Sequence, residues 1–134
     1  MGTFNNKHLQ EHYSNPRNAG YLEDADAVGC SGNPVSGDII HLYLKIEEDR
    51  ITDARFKSFG CAAVIAISSI VTESIKDTRL DRALRRSSQA LSEALHGMPS
   101  EKMLYSVMVE QALERAIHNY RQRDPGKMKA AAGN

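Results

Sequence analysis

The sequence predicts an α+β fold: a small antiparallel sheet of about three strands, helices packed on one of its faces, and a long C-terminal helix. Three observations predict it. Ile40, Leu42, Leu44 and Ile46 alternate with His41, Tyr43 and Lys45, the period-2 pattern of a strand with one apolar face. After Gly60 the apolar residues recur at three- and four-residue steps, through Val64, Ile67, Ile70, Val71 and Ile75. Residues 101–123 then carry the longest apolar stripe, from Leu104 through Met108, Ala112 and Ala116 to Tyr120. Strands come first and helices after, the order of an α+β fold.

Residues 8–14 read as a short helix. Asn15-Pro16 ends it, because proline disfavours helix at the residue before it and has no N–H to donate. A polar stretch, 23–26, leads into Gly32-Asn33-Pro34-Val35-Ser36-Gly37-Asp38, a loop ahead of the alternating strand. Residues 47–50 form a polar turn, and a second strand follows over 51–59 with Ala54, Phe56 and Ser58 on one side. Two strands joined so briefly make an antiparallel hairpin. The next helix covers 61–76. Thr78 is placed to cap a short helix through Arg85, and 87–95 is a further amphipathic piece closed by Gly97 and Pro99. Ser100 is the expected N-cap of the long helix, and Asp124-Pro125-Gly126 its stop. A single domain is expected over 1–126, with 127–134 a small, polar, disordered tail.

Lys+Arg and Asp+Glu both number 17, so no net field draws nucleic acid or an anionic membrane to the chain. The N-terminus carries no apolar run, and the longest one, 61–67, is far too short to span a bilayer. The expected setting is cytoplasmic. There a disulfide between Cys30 and Cys61 is not expected, and two cysteines fall short of a four-thiolate metal site. No P-loop, dinucleotide fingerprint, GxSxG or CxxC is present. Ser36 and Asp38 lack a partnered histidine and so form no nucleophile–base pair; the chain is not expected to be an enzyme. His8 and His12 stand at i, i+4, a spacing that can hold a metal, but without a further ligand frame they read as a solvated face. Arg79, Arg82, Arg85 and Arg86, interrupted by Asp77 and Asp81, read as a solvated or partner-facing helix surface.

Two loops can carry chemistry, 32–38 and the strand–helix junction at Gly60-Cys61. Pairing about the middle of the 47–50 turn sets residue i opposite about 97 − i, so Asp38 faces about Phe59 and lies beside Cys61. Cys61 also begins a helix, where free N–H groups and the positive dipole end favour a thiolate. Two readings fit this pair. Either a cation sits between thiolate and carboxylate, or Cys61 is a structural cysteine with a capping aspartate.

The runs HYSNPRNAG (12–20), GNPVSGD (32–38), ITDARFKSFGCAAVIAISS (51–69) and EKMLYSVMVEQALERAI (101–117) stand in an order and spacing that resembles the IscU/NifU-type iron–sulfur cluster assembly scaffolds. The resemblance covers about residues 7–122. It implies a platform that binds iron or a nascent [2Fe–2S] cluster, or zinc, on three cysteines and an aspartate. It also implies partners: a cysteine desulfurase and other assembly proteins, and apo-protein acceptors. A homodimer is an open alternative that could bring two Cys61 and two Cys30 to a shared cluster. The first cysteine of the family lies in a C-G-D triplet, which here reads Ser36-Gly37-Asp38; the second matches Cys61; the third lies in H-C-S, which here reads Leu104-Tyr105-Ser106. Lys102 matches a family lysine. Met98-Pro99-Ser100-Glu101-Lys102 departs from the L-P-P-V-K run that binds a dedicated chaperone in IscU proteins and is closer to the NifU-type variant.

The resemblance therefore implies a depleted ligand set: Cys61 and Asp38, with Ser36 a weak third, against the four ligands that a [2Fe–2S] cluster takes. Cys30, six residues before Ser36, is either a substitute ligand swung in by a flexible loop or a cysteine with no part in the site. Two functions follow. One is a divergent scaffold or carrier. The other is a cluster-free paralogue that serves as a binding or regulatory module, or accepts sulfur as a persulfide on Cys61 alone.

Overall fold

The computed structural model describes residues 7–95 and 100–123, of which 100–103 by backbone alone. The expected stop at Asp124-Pro125-Gly126, the tail 127–134, Gly97, Pro99, and the side chains of Ser100 and Lys102 lie outside the described residues. In chain order the elements are α1 (Lys7–Ser14), β1 (Ala27–Asn33), β2 (Asp38–Glu47), β3 (Arg50–Phe59), α2 (Ala62–Ile75), β4 (Thr78–Arg79), a 3-10 turn (Leu80–Arg82), α3 (Ala83–Ala94) and α4 (Ser100–Gln122). No helix among the described residues is long and apolar enough to cross a membrane.

The four strands form an antiparallel sheet in the order β1-β2-β3-β4. Four replace the expected three because two short segments escape the sequence pattern. β1 is poor in β-formers, with two glycines and small residues, so nothing in its composition announces a strand. β4 is two residues long. Asp77 adopts φ 62° and folds the chain back, so Thr78 pairs with Ile51 instead of capping a helix. The two helices expected over 78–95 are correspondingly one helix, α3, entered through the 3-10 turn.

The β2–β3 link is a two-residue turn at Glu48 and Asp49, with φ 51° and 60°, and Glu47 pairs with Arg50. Both central residues are left-handed, the turn whose twist matches a hairpin. One irregularity follows. Ile46 pairs with Ile51 but Lys45 pairs with Asp53, so Thr52 is an extra residue. The bulge lets Ile51 and Ala54 both point into the core, and it shifts the rest of the ladder by one. Asp38 accordingly lies level with Gly60, one residue beyond the expected Phe59.

The face bearing Ile40, Leu42, Leu44, Ile46, Ile51, Ala54 and Phe56 is buried, with α2 and α4 laid across it. α2 is enclosed by the sheet, α1, α3 and α4, which is why its apolar residues run nearly all round it. α4 lies directly on β1. A Cβ at Gly29 would stand 2.0 Å from the carbonyl oxygen of Ala112 and 2.5 Å from the nitrogen of Ala116. The outer edge of β1 is closed by the same helix: Arg115, Asn119 and Arg123 donate to the carbonyls of Cys30, Val28 and Asp26 at 2.8, 2.9 and 3.1 Å. Four helical residues rise about 6 Å and two strand residues about 6.7 Å, so a helix alongside an edge strand meets every second carbonyl. These bonds occupy acceptors that would otherwise template another strand.

α1 docks through His12, whose Nδ1 lies 2.7 Å from the hydroxyl of buried Ser69 on α2. The Arg17 backbone N–H donates to the same oxygen at 2.8 Å, which leaves the hydroxyl hydrogen for an unprotonated Nδ1. Burial first, then the charges of Arg17 and His8, hold the His12 pKa below its ordinary value near 6.5.

Two outcomes follow from this packing. Gly29→Ala lowers stability to urea unfolding by about 2 kcal/mol, because backbone must move to admit the methyl. Gly37→Ala, at φ 83° with open space around it, costs only about 1 kcal/mol. The unfolded chain protonates His12 before the folded chain does. Stability is therefore full above about pH 6.5 and falls as the pH drops below it. Denaturant midpoints between pH 7 and 5 fall less in His12→Asn than in the unaltered protein.

Candidate functional site

β3 ends at Phe59, and Gly60 turns the chain into α2 at φ 134°. Only glycine fits there, for conformation and for space: a Cβ would lie 1.8 Å from Oδ1 of Asp38. Cys61 is the N-cap of α2, with φ −78° and ψ 163°, and its own side chain caps nothing. Asp38 supplies the cap. Its Oδ1 accepts the Cys61 backbone N–H at 2.7 Å, although the residues are 23 apart in sequence. Its Oδ2 accepts the Ser36 hydroxyl at 2.6 Å, so both oxygens of a carboxylate only 3% exposed are hydrogen-bonded.

The loop 33–38 is built to deliver that carboxylate. Asn33 Oδ1 accepts the Val35 backbone N–H at 2.9 Å, the Asn33 carbonyl accepts that of Gly37 at 2.7 Å, and Asn33 pairs with Asp38 across the hairpin. Gly37 takes φ 83°. Ser36 is thereby turned toward Asp38.

The opposite wall comes from α4. Tyr105 stands beside Cys61, and its interaction with the sulfur, first of all, pushes the phenol pKa above the ordinary tyrosine value. The charge of Cys61, burial and the charge of Asp38 act in the same direction. Cys61 is half-buried, and the neighbours of the site in sequence, Phe59 and Leu104, are 59% and 64% exposed. The result is a small polar centre with one thiol, one carboxylate and two hydroxyls behind an apolar rim.

The structure thus brings together Cys61, Asp38 and Ser36, and it does not bring Cys30 to them. Cys30 sits in mid-strand in β1, not in a mobile loop, and strand alternation turns it to the face away from the helices. There its sulfur lies 3.1 Å from Nδ1 of His41, whose cross-strand neighbour is Lys57. His12 is likewise engaged with Ser69. Among the described residues no three His, Cys, Asp or Glu side chains are grouped to hold a metal ion. A metal here finds two anionic donors, Cys61 and Asp38, and two weak ones, Ser36 and Tyr105. The Tyr105 hydroxyl was not legible as a sulfur partner; the signal available was its place in the Leu104-Tyr105-Ser106 triplet.

A match to the NifU-like N terminal domain family spans residues 4–127. The chain belongs to that family. The iron-sulfur cluster assembly scaffold protein IscU 1 of Archaeoglobus fulgidus is 48% identical over 110 residues, which cover 82% of this chain and 72% of the relative. The nitrogen fixation protein NifU of Azotobacter chroococcum is 44% identical over 115 residues, covering 84% of this chain and 37% of that longer protein. The crystal structure of the N-terminal part of a NifU-like protein from Brucella abortus shares the fold, with a TM-score of 0.72 at 19% identity over 88% of this chain and 94% of that one. As a NifU-like domain this chain departs from the expected site at Ser36 and Tyr105: the Ser36 hydroxyl binds the aspartate, and the Tyr105 phenol stands close enough to Cys61 and Asp38 for both to raise its pKa.

The Tyr105 contact is measurable. In carbon-labelled tyrosine spectra Tyr105 titrates above the ordinary value near 10, and Cys61→Ala moves it back toward 10. An unchanged titration in Cys61→Ala would show that the sulfur does not hold the phenol.

Proposed function

We propose that this NifU-like domain is an iron–sulfur cluster assembly scaffold working with a reduced donor set. The observation that carries the reading is the Cys61–Asp38 pair, held side by side at the start of α2. A thiolate and a carboxylate are both ligands for iron or zinc, and the relative from Archaeoglobus fulgidus carries the scaffold name. One chain supplies two anionic donors, whereas a [2Fe–2S] cluster takes about four ligands. Two copies facing each other through Cys61 and Asp38 make up that number. On this reading iron and a nascent cluster are cargo: a cysteine desulfurase provides the sulfur, and apo-proteins receive the product. Cys30 takes no part, because it faces the other side of the sheet.

A second reading has its own support. Ser36 donates to Asp38 and Tyr105 stands beside Cys61, so hydroxyl groups already flank the carboxylate and the sulfur. That setting suits a sulfur atom as well as a metal. Cys61 thiolate attacks the outer sulfur of a desulfurase persulfide, the S–S bond of the donor breaks, its thiolate leaves, and the sulfur remains on Cys61.

Anaerobic incubation with ferrous iron, cysteine and a cysteine desulfurase separates the two. A scaffold gives a coloured protein with iron and sulfide, about one cluster per two chains. The colour is lost in Cys61→Ala and kept in Cys30→Ser. A colourless, iron-free protein whose Cys61 gains the mass of sulfur supports the acceptor reading. A protein that gains neither iron nor sulfur overturns both.

A further inference from the structure

A groove of about 620 Å³ opens where β4, the end of α2 and α3 meet, at the opposite end of α2 from Cys61. Six cations line it: Arg50, Lys76, Arg79, Arg82, Arg85 and Arg86. The one acid in its wall is Asp77. Lys76 reaches Asp53 at 3.6 Å and Arg79 reaches Asp81 at 3.4 Å. Counting both partners, six cations meet three acids, an excess of three positive charges in a chain whose total is zero. Among the described residues Arg82 and Arg85 have no acidic partner.

The fold gathers these charges at a cost. The turn at Asp77 lays β4 along β3 so that Arg79 is the direct cross-strand partner of Arg50. Like charges placed opposite each other destabilise a sheet. Arg82, Arg85, Arg86 and Gln89 then recur at three- and four-residue steps along the entry to α3 and α3 itself, turning one face toward the same space. Two of the guanidinium groups are held in place. Arg50 Nη1 donates to the Asp77 carbonyl at 2.5 Å, and Arg86 Nε donates to the Ser74 carbonyl at 3.2 Å. Each keeps other N–H donors free, since a guanidinium has five.

A solvated helix face explains a row of arginines on a convex surface. It does not explain a concave site in which an arginine pair faces itself across a strand ladder. The volume lies in the range of small-ligand sites. The wall has no aromatic or large apolar side chain, so charge and hydrogen bonds are what it recognises. Guanidinium forks match phosphate oxygens two at a time. We propose that this groove binds a multivalent phosphate anion, a chain of the triphosphate kind, either free or carried by a nucleotide. The site is independent of the Cys61 chemistry.

Calorimetric titration of the full chain, without iron, with inorganic triphosphate at physiological ionic strength tests it. Saturable binding is expected at one site. The double variant Arg82→Gln, Arg85→Gln weakens it at least about tenfold, while Lys57→Gln on the open sheet face, which removes one charge elsewhere, leaves it unchanged. ATP serves as the second arm. Equal binding of ATP and triphosphate identifies the free chain of phosphates as sufficient, and much tighter binding of ATP identifies a nucleotide as the carrier; either supports the proposal. No saturable binding at several millimolar triphosphate, undiminished binding in the double variant, or equal binding of citrate overturns it.

Discussion

The contact between α4 and β1 is the constraint on which the rest of the structure depends. At Gly29 nothing separates the helix from the strand but backbone, and Arg115, Asn119 and Arg123 tie the same helix along the strand edge. These contacts fix the height and rotation of a 23-residue helix against the sheet. Tyr105 rides near the other end of that helix and is held beside Cys61 because the helix cannot slide. A seam of small residues thus sets the geometry of a site built by larger ones.

Much of this was legible in the sequence, and the parts that were not share one physical cause. β2 and α4 announce themselves because their burial follows a simple period, and α2 because its apolar residues recur at helical steps after Gly60. The nearness of Asp38 and Cys61 follows from hairpin arithmetic, and the arithmetic misses by one residue because a bulge at Thr52 obeys no composition rule. β1 and β4 were invisible for the same kind of reason. β1 is small because a helix presses on it, and β4 exists because Asp77 redirects the chain. Both are consequences of tertiary placement.

The site divides along the same line. Motif spacing placed Ser36, Asp38 and Cys61 in one neighbourhood, and the structure places them there. It could not say which side of a strand Cys30 would face, because the loop it was assigned to is a strand. Nor could it say that Tyr105 would stand beside the sulfur. The substitutions at Ser36 and Tyr105 look like losses when only the thiols are counted. In the fold they are exchanges: the Ser36 hydroxyl binds the remaining carboxylate, and the Tyr105 phenol stands beside the remaining sulfur.

Gly60 leaves room for one thing, the Asp38 carboxylate, and that carboxylate holds the first free N–H of α2. The helix start and any metal therefore draw on the same two oxygens. A cation that takes the second lone pair of either oxygen draws electron density from an atom that already accepts from Cys61 or Ser36, and so weakens that bond. Loading the site and loosening the first turn of α2 are then two sides of one equilibrium, in which a partner that steadies the helix start favours release and one that frees it favours uptake.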